Sequence, residues 1–451
     1  MGRGSPEHRT PDGSRAVIAP PARRAPRGRP GGWRVARGRV AARGRGVNRR
    51  VLATLVVLYL LQGASSAFFY VALPAALREA GAPLGLIGLT FLAYLPFGLK
   101  PLWAPLLDRY WSVRLGRRRS WMLPAQALPV PLFLAAATLH PLTDFGALMA
   151  LACGISAAAA TGNAAADAWV VERVTPAMRG WANGAQAGAY AIGALLAGGV
   201  AALHDVGGWA AMAVAMAALS ALGVVVLALL PVDRGEAGPP PAPFRLPWDR
   251  FADPGIRRAL GLLVLARAGL NLPVGLVGAM GVDAGLSVGA TALIGGVGGS
   301  AATLVAAGAG GWLVQRHGPF RALAAGSAAC AASSLGIGGA LYGFGLSPLL
   351  AVLGSLHVFA VGTLVFVALH GGFMAVADPR RAATDLALLT GVELLFGLLV
   401  ASVGGWIAGP VGGYAGVFGV AGVVSLLAVA AVLGWRDGAA GPLRASGTGA
   451  P

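Results

Sequence analysis

A few ionisable side chains stand inside long apolar runs of this 451-residue chain, where charge is otherwise scarce. Arg267 lies in VLARAGLNLP, Glu393 in TGVELLFG, and the chain's one lysine, Lys100, in LPFGLKPLWAP. His357 falls near the middle of another such run and His370 near its end. An ionisable group inside hydrocarbon costs at least ~2.5 kcal/mol to insert, so each is a candidate for binding or coupling chemistry. Arginine offers a planar fork of donors to an anion. A buried glutamate beside it either balances that charge or exchanges a proton, because burial and a neighbouring cation act on it in opposite directions. Counted along their runs, Arg267 and Glu393 lie at a similar depth, roughly 12–15 Å at 1.5 Å per residue. They pair if their helices touch, either as a structural ion pair or as a solute anchor.

Other polar groups are candidates for the same neighbourhood. Asn271 precedes Pro273, where the missing backbone donor predicts a kink. Asn163, Gln62 and Tyr190 place hydrogen-bonding groups at membrane depth, to line a cavity or to bind neighbouring helices. His357 fits either a neutral core histidine or a ligand contact. Lys100, within two turns of a membrane face, either snorkels or faces inward.

The elements that carry these residues follow from composition. Hydrophobic residues make up 56% and charged residues 12%, far from the roughly 25% charged share of a soluble domain. There is no GxxxxGK[ST], no HExxH and no His/Asp cluster of metal spacing, which argues against an enzyme or an ATP-driven pump. No cofactor or metal is expected. Cys153 and Cys330 stand alone in apolar runs and read as packing residues.

Apolar runs of bilayer-spanning length, about 20 residues, fall at 51–74, 85–107, 121–139, 145–166, 183–203, 208–231, 257–282, 287–314, 320–342, 347–370, 386–408 and 413–435. The reading is an all-α polytopic membrane protein of twelve transmembrane helices. It forms two six-helix bundles, 51–231 and 257–436, joined by a proline-rich linker at 232–256. With both termini cytoplasmic, the connections 108–120, 167–182, 232–258, 315–321 and 371–385 carry 5, 2, 5, 2 and 2 arginines. The opposite side carries Arg78 alone, the asymmetry of the positive-inside rule. Residues 1–50 hold 14 of the 34 arginines and no apolar signal segment. They read as a basic disordered tail near anionic lipid of the cytoplasmic leaflet, or as a stretch upstream of the true start; 437–451 reads as a second tail.

An internal repeat is visible: LLDRYWSVRLGRRR follows the second helix and WLVQRHGPFR the eighth. Asp108, Arg109, Gly116, Arg117 and Arg118 in the first copy, and Gln315 and Arg316 in the second, form a candidate gating motif. Asp108 at a helix end is placed to meet those arginines or the positive start of the eleventh helix.

The stretch KPLWAPLLDRY…LGRRRSW resembles the peptide/acetyl-CoA transporter branch of the major facilitator superfamily, which contains AmpG-type muropeptide permeases and related siderophore permeases. YLLQGASSAFFYVALPAALRE, DAWVVERVTPAMRGWANGAQAGAY and RRAATDLALLTG extend the likeness over about 57–435, and FFYVALPAALREAG and NGAQAGAY lean toward the siderophore side. Departures are specific. The family usually has an acid where Asn163 stands and a base near Ala191, so its proton scheme is in doubt for this chain. The resemblance implies a secondary transporter in the plasma (inner) membrane, importing a polar organic solute by alternating access, with protons as coupling ion. It would be a monomer with no nucleic-acid partner. Arg267 would anchor the solute, Asn271, His357 and Asn163 would shape the site, and Glu393 would balance Arg267 or carry the proton. The rival reading is a non-transporting membrane receptor or assembly factor of the same fold.

Overall fold

Five prolines and glycine-rich runs sit inside the first two apolar stretches and their later counterparts, so these helices cannot be uniform α-helix. In the computed structural model, residues 49–112, 114–173, 179–229, 252–376 and 382–438 are described, all within one unit that begins at Val47. Their regular structure is helical. In chain order the long helices are α1 (Ala53–Glu79), α2 (Leu84–Leu102), α3 (Arg119–Ala137), α4 (Phe145–Arg173), α5 (Arg179–Ala201) and α6 (His204–Leu229). The second set is α7 (Ile256–Asp283), α8 (Val288–His317), α9 (Pro319–Phe344), α10 (Pro348–Val376), α11 (Ala382–Ile407) and α12 (Gly413–Gly438). Among the described residues 11 helices are long and apolar enough to cross a bilayer; α5 is the twelfth, with Gly188–Ala201 as its apolar part. The tails and the 232–251 part of the linker lie outside the described residues.

One boundary differs from expectation in a way that matters. The sequence reading ends the fourth helix at 166, ahead of Asp167 and Glu172. The helix instead continues to Arg173, which puts Asp167 inside α4 rather than in a loop. A bilayer-length criterion stops at charge, whereas a helix stops only where its hydrogen bonding does.

The two halves repeat each other in their irregularities. A π-turn at Phe68–Ala72 interrupts α1 just before Pro74, which cannot donate to the Tyr70 carbonyl. In α7 the interruption is at Pro273, followed by a 3₁₀ turn at Val274–Leu276. In α2 a 3₁₀ turn at Thr90–Tyr94 precedes Pro96, and in α8 a π-turn occupies Ile294–Gly298 in a glycine run. Superposing the turn at Gly81 on that at Gly285 brings each irregularity onto its partner. Gly116 and Gly318, which follow α2 and α8 in the repeated motif, both have left-handed backbones (φ 80° and 81°) that disfavour any other residue.

We call the side where α1 begins and α12 ends the near side, and the opposite one the far side. The halves converge on the far side through glycines. A Cβ on Gly278 would strike the Val71 carbonyl, one on Gly296 the Ala194 carbonyl, and Gly88 and Gly405 face each other between α2 and α11. Close backbone approach of this kind drives association where lipid removes the hydrophobic incentive. The main buried cluster of the first half therefore runs on into Ala279, Val288, Ala292, Leu398 and Ala401 of the second.

Candidate functional site

Each half brings charged side chains of different helices together. In the second half Arg267 of α7 and Glu393 of α11 meet, with Nε 3.2 Å from Oε1. Glu393 is 4% exposed, yet neither of those two atoms makes a hydrogen bond among the described residues. The two findings agree once angle is considered: the pair is close enough to attract but not aligned to bond. Its donors and acceptor are thus buried and open to a better partner, the arrangement that makes an ionic site receptive.

His370 of α10 completes this cluster. Its Nδ1 lies 3.0 Å from the Phe366 carbonyl, which can only accept, so Nδ1 carries hydrogen. Its Nε2 then faces Glu393 Oε2 at 3.6 Å. Asn271 stands a turn further along α7, its Nδ2 donating to the Arg267 carbonyl at 3.0 Å and covering the backbone group that the Pro273 break exposes.

In the first half, Lys100 of α2 donates to Asn163 Oδ1 of α4 at 2.6 Å and lies 3.9 Å from Asp167 Oδ2. The Tyr59 hydroxyl of α1 donates to Asp167 Oδ1, and Asn163 Nδ2 donates to Gln62 Oε1 at 3.1 Å. Tyr59, Gln62, Ser65, Gln126 and Asn163 wall a small pocket between α1, α3 and α4. Unlike Glu393, these groups are partly open: the Lys100 and Asp167 side chains are 32% and 50% exposed.

Aromatic rings cover the far side of this level. Tyr70 packs on Phe91 and Tyr94, and Tyr94 stacks on Phe97 with centroids 5.0 Å apart. Tyr94 donates to Ser66, which Tyr190 of α5 also faces. Beyond the rings come the polar ties between the halves. Arg78 Nε pairs with Asp283 Oδ1 at 2.7 Å, and Tyr414 donates to Oδ2 of the same carboxylate. Asp205 accepts from Ser287 Oγ at 2.6 Å and from the Gly289 amide at 3.0 Å, at the start of α8.

The predicted residues thus divide. Arg267, Glu393 and Asn271 come together, and Asn163 joins Gln62 in the other half. His357 does not join Arg267: it is 5% exposed between α9, α10 and α12, with its ring nitrogens 2.8 and 3.2 Å from the Ser333 and Ser334 hydroxyls and its face toward Phe418. In the gating motif, Arg109 is exposed over Tyr110, Arg118 is buried, and Gln315 and Arg316 are exposed, with Arg316 over Trp312. Both Arg117 and Arg118 are engaged, Gly116 makes the turn, and the Asp108 side chain lies outside the described set. Arg119, which the sequence reading passed over, donates to the Leu227 and Ala228 carbonyls at the end of α6, where a cation meets the negative end of the helix. Asp167 was missed, and His370 was named as a candidate without a partner. The four-residue spacing of Asn163 and Asp167 on one helix face was the available signal for the first.

With this geometry in view, relatives can be compared. The profile described as Major Facilitator Superfamily matches residues 55–384. The anhydromuropeptide permease of Escherichia coli K12 is 30% identical over 371 residues, covering 78% of this chain and 73% of that one. An uncharacterized protein of Haemophilus influenzae is 39% identical over 128 residues, 28% of this chain and 30% of its own length. Among solved structures, the POT family transporter PepTSo superposes with a TM-score of 0.70 at 10% identity, over 87% of this chain and 98% of that one, a likeness of fold.

Proposed function

From a chain that belongs to the major facilitator superfamily and is a multi-pass membrane transporter, not an enzyme, we propose import of an anionic, muropeptide-class solute across the inner membrane by alternating access. The observation that carries the reading is the buried, misaligned Arg267–Glu393 pair. A solute carboxylate of suitable reach replaces a poor partner of Arg267 with a bidentate one. Of the two solute classes that the sequence suggested, the relationship to a protein named anhydromuropeptide permease supports muropeptides over siderophores.

The arginine-rich near side is cytoplasmic in this reading, by the positive-inside rule. The far-side ties then describe an inward-facing conformer, closed outside by Arg78–Asp283 and Asp205–Ser287 and by the aromatic layer beneath them. Transport requires those ties to break as the near side closes, with the halves rocking about the mid-helix level. His370 and Glu393 hold the coupling proton between them. Losing it toward the cytoplasm removes the proton's positive charge from beside Glu393, which then competes with the solute for Arg267 and drives release.

Uptake of labelled anhydromuropeptide into proteoliposomes tests this directly. An inside-alkaline pH gradient is expected to raise the initial rate several-fold, and Arg267→Gln to abolish it. Equal uptake with and without the gradient removes the proton step, and a normal rate for Arg267→Gln removes the anchor.

A further inference from the structure

We propose that Lys100 couples the two clusters: when the near side closes, its ammonium leaves Asn163 and Asp167 and takes Glu393 of the opposite half. The inference rests on the alternating-access reading and adds a residue-level exchange to it.

The register of α2 against α11 carries the argument. The two helices run antiparallel along the seam, with Gly88 against Gly405 and Gly98 against Leu395. Ten residues forward on α2 match ten back on α11, so two more on each bring Lys100 level with Glu393. Just there the seam gives out, and each side chain turns to its own half: Lys100 to α4, Glu393 to α7 and α10. Rocking the halves together on the near side extends the seam by that one step. Lysine suits the exchange because its ammonium rides on a flexible four-carbon stem.

The present partners are unequal, which sets the direction. Asp167 is half-exposed and keeps the Tyr59 hydroxyl when the lysine departs. Glu393 is buried, with Oε1 unbonded. Moving Lys100 to Glu393 therefore leaves a solvated acid behind and satisfies a desolvated one. The exchange also alternates solute affinity. With the near side closed, Lys100 draws Glu393 away and Arg267 is free to take an anion entering from the far side. With the near side open, Glu393 returns to Arg267 and displaces that anion. This assigns a function to the only lysine in the sequence that a snorkelling side chain lacks.

Two measurements test it, and neither needs a solute, so their failure is separable from failure of the solute assignment. First, Lys100→Cys/Glu393→Cys is made with Cys153→Ala and Cys330→Ala, and a protease site is placed in the 232–256 connection. A bismaleimide of about two side-chain lengths is expected to join the halves in membranes. Yield should rise several-fold with Gly278→Leu, whose side chain wedges the far side apart at Val71. Second, spin labels at Leu106→Cys and His317→Cys report the near-side distance in protein with Lys100 intact. Lys100→Gln is expected to reduce the short-distance population at least threefold, and Lys100→Arg to restore most of it. Near-side closure without cross-linking overturns the proposal, as does a short-distance population that Lys100→Gln leaves unchanged.

Discussion

The charged clusters of the two halves use the same chemistry in opposite media. Lys100 and Asp167 are partly exposed and hydrogen-bonded to Asn163 and to Tyr59 respectively, so each keeps a partner if the other leaves. Glu393 is buried, the Arg267 side chain is 16% exposed with its Nε buried, and the two are misaligned and dependent on each other, with His370 as third member. A screened ion pair is worth at most about 1 kcal/mol, whereas breaking a buried one costs about 3–5 kcal/mol because a charge is left uncompensated. In the proposed mechanism this difference assigns selection of a matching anion to the Arg267 cluster and rearrangement between conformers to the Lys100 cluster.

The contrast can be broken most sharply at Glu393. Glu393→Ala strands Arg267, and thermal unfolding in detergent is expected to show a loss of about 3–5 kcal/mol. Replacing both, as Arg267→Met/Glu393→Leu, should recover most of that stability while uptake stays absent. A single-variant loss below about 1 kcal/mol would put the two clusters on equal footing. Next in size is His357, a buried group outside both clusters. His357→Ala removes the partner of Ser333 and Ser334 and should cost about 1–3 kcal/mol, with uptake per folded molecule within twofold of wild type. A large uptake defect at normal stability would return His357 to the site. Arg78→Gln comes third, since it breaks a half-exposed far-side tie worth about 1 kcal/mol or less. Its clearer effect should be faster maleimide labelling of a cysteine placed at Tyr70, beneath that tie; unchanged labelling would deny the tie a gating part. The smallest effect is expected at Asp167, where Asp167→Asn should change stability by under about 1 kcal/mol and less still in high salt. A larger, salt-insensitive loss would show that the first cluster is not screened.

The sequence made the architecture legible because its signals are local. Helix length against bilayer thickness placed most spans to within a few residues, and Pro273 marked the break in α7, whereas the breaks in α1 and α2 were not read from Pro74 and Pro96. Arg267 and Glu393 stood out by the cost of charge in hydrocarbon, and similar depth allowed them to pair on the condition, met in the fold, that their helices touch. Asp167 was lost for the same reason that the spans were found, since a rule that ends helices at charge hides an acid inside one. His370 was seen near the end of its run and given no task, because nothing in α10 alone says that its Nε2 faces α11.

By itself, then, the sequence determined the twelve hydrophobic helices, the kink at Pro273 and the few ionisable residues costly enough to need a partner. Tertiary structure decided which partner each one found. Successive residues on a helix point about 100° apart, and rotation about each axis is set by packing: Gly278 on Val71, Gly88 on Gly405, Gly98 on Leu395. Those contacts turn His370 toward Glu393 and His357 away from it, and leave Lys100 level with an acid in the other half that only motion can bring within reach.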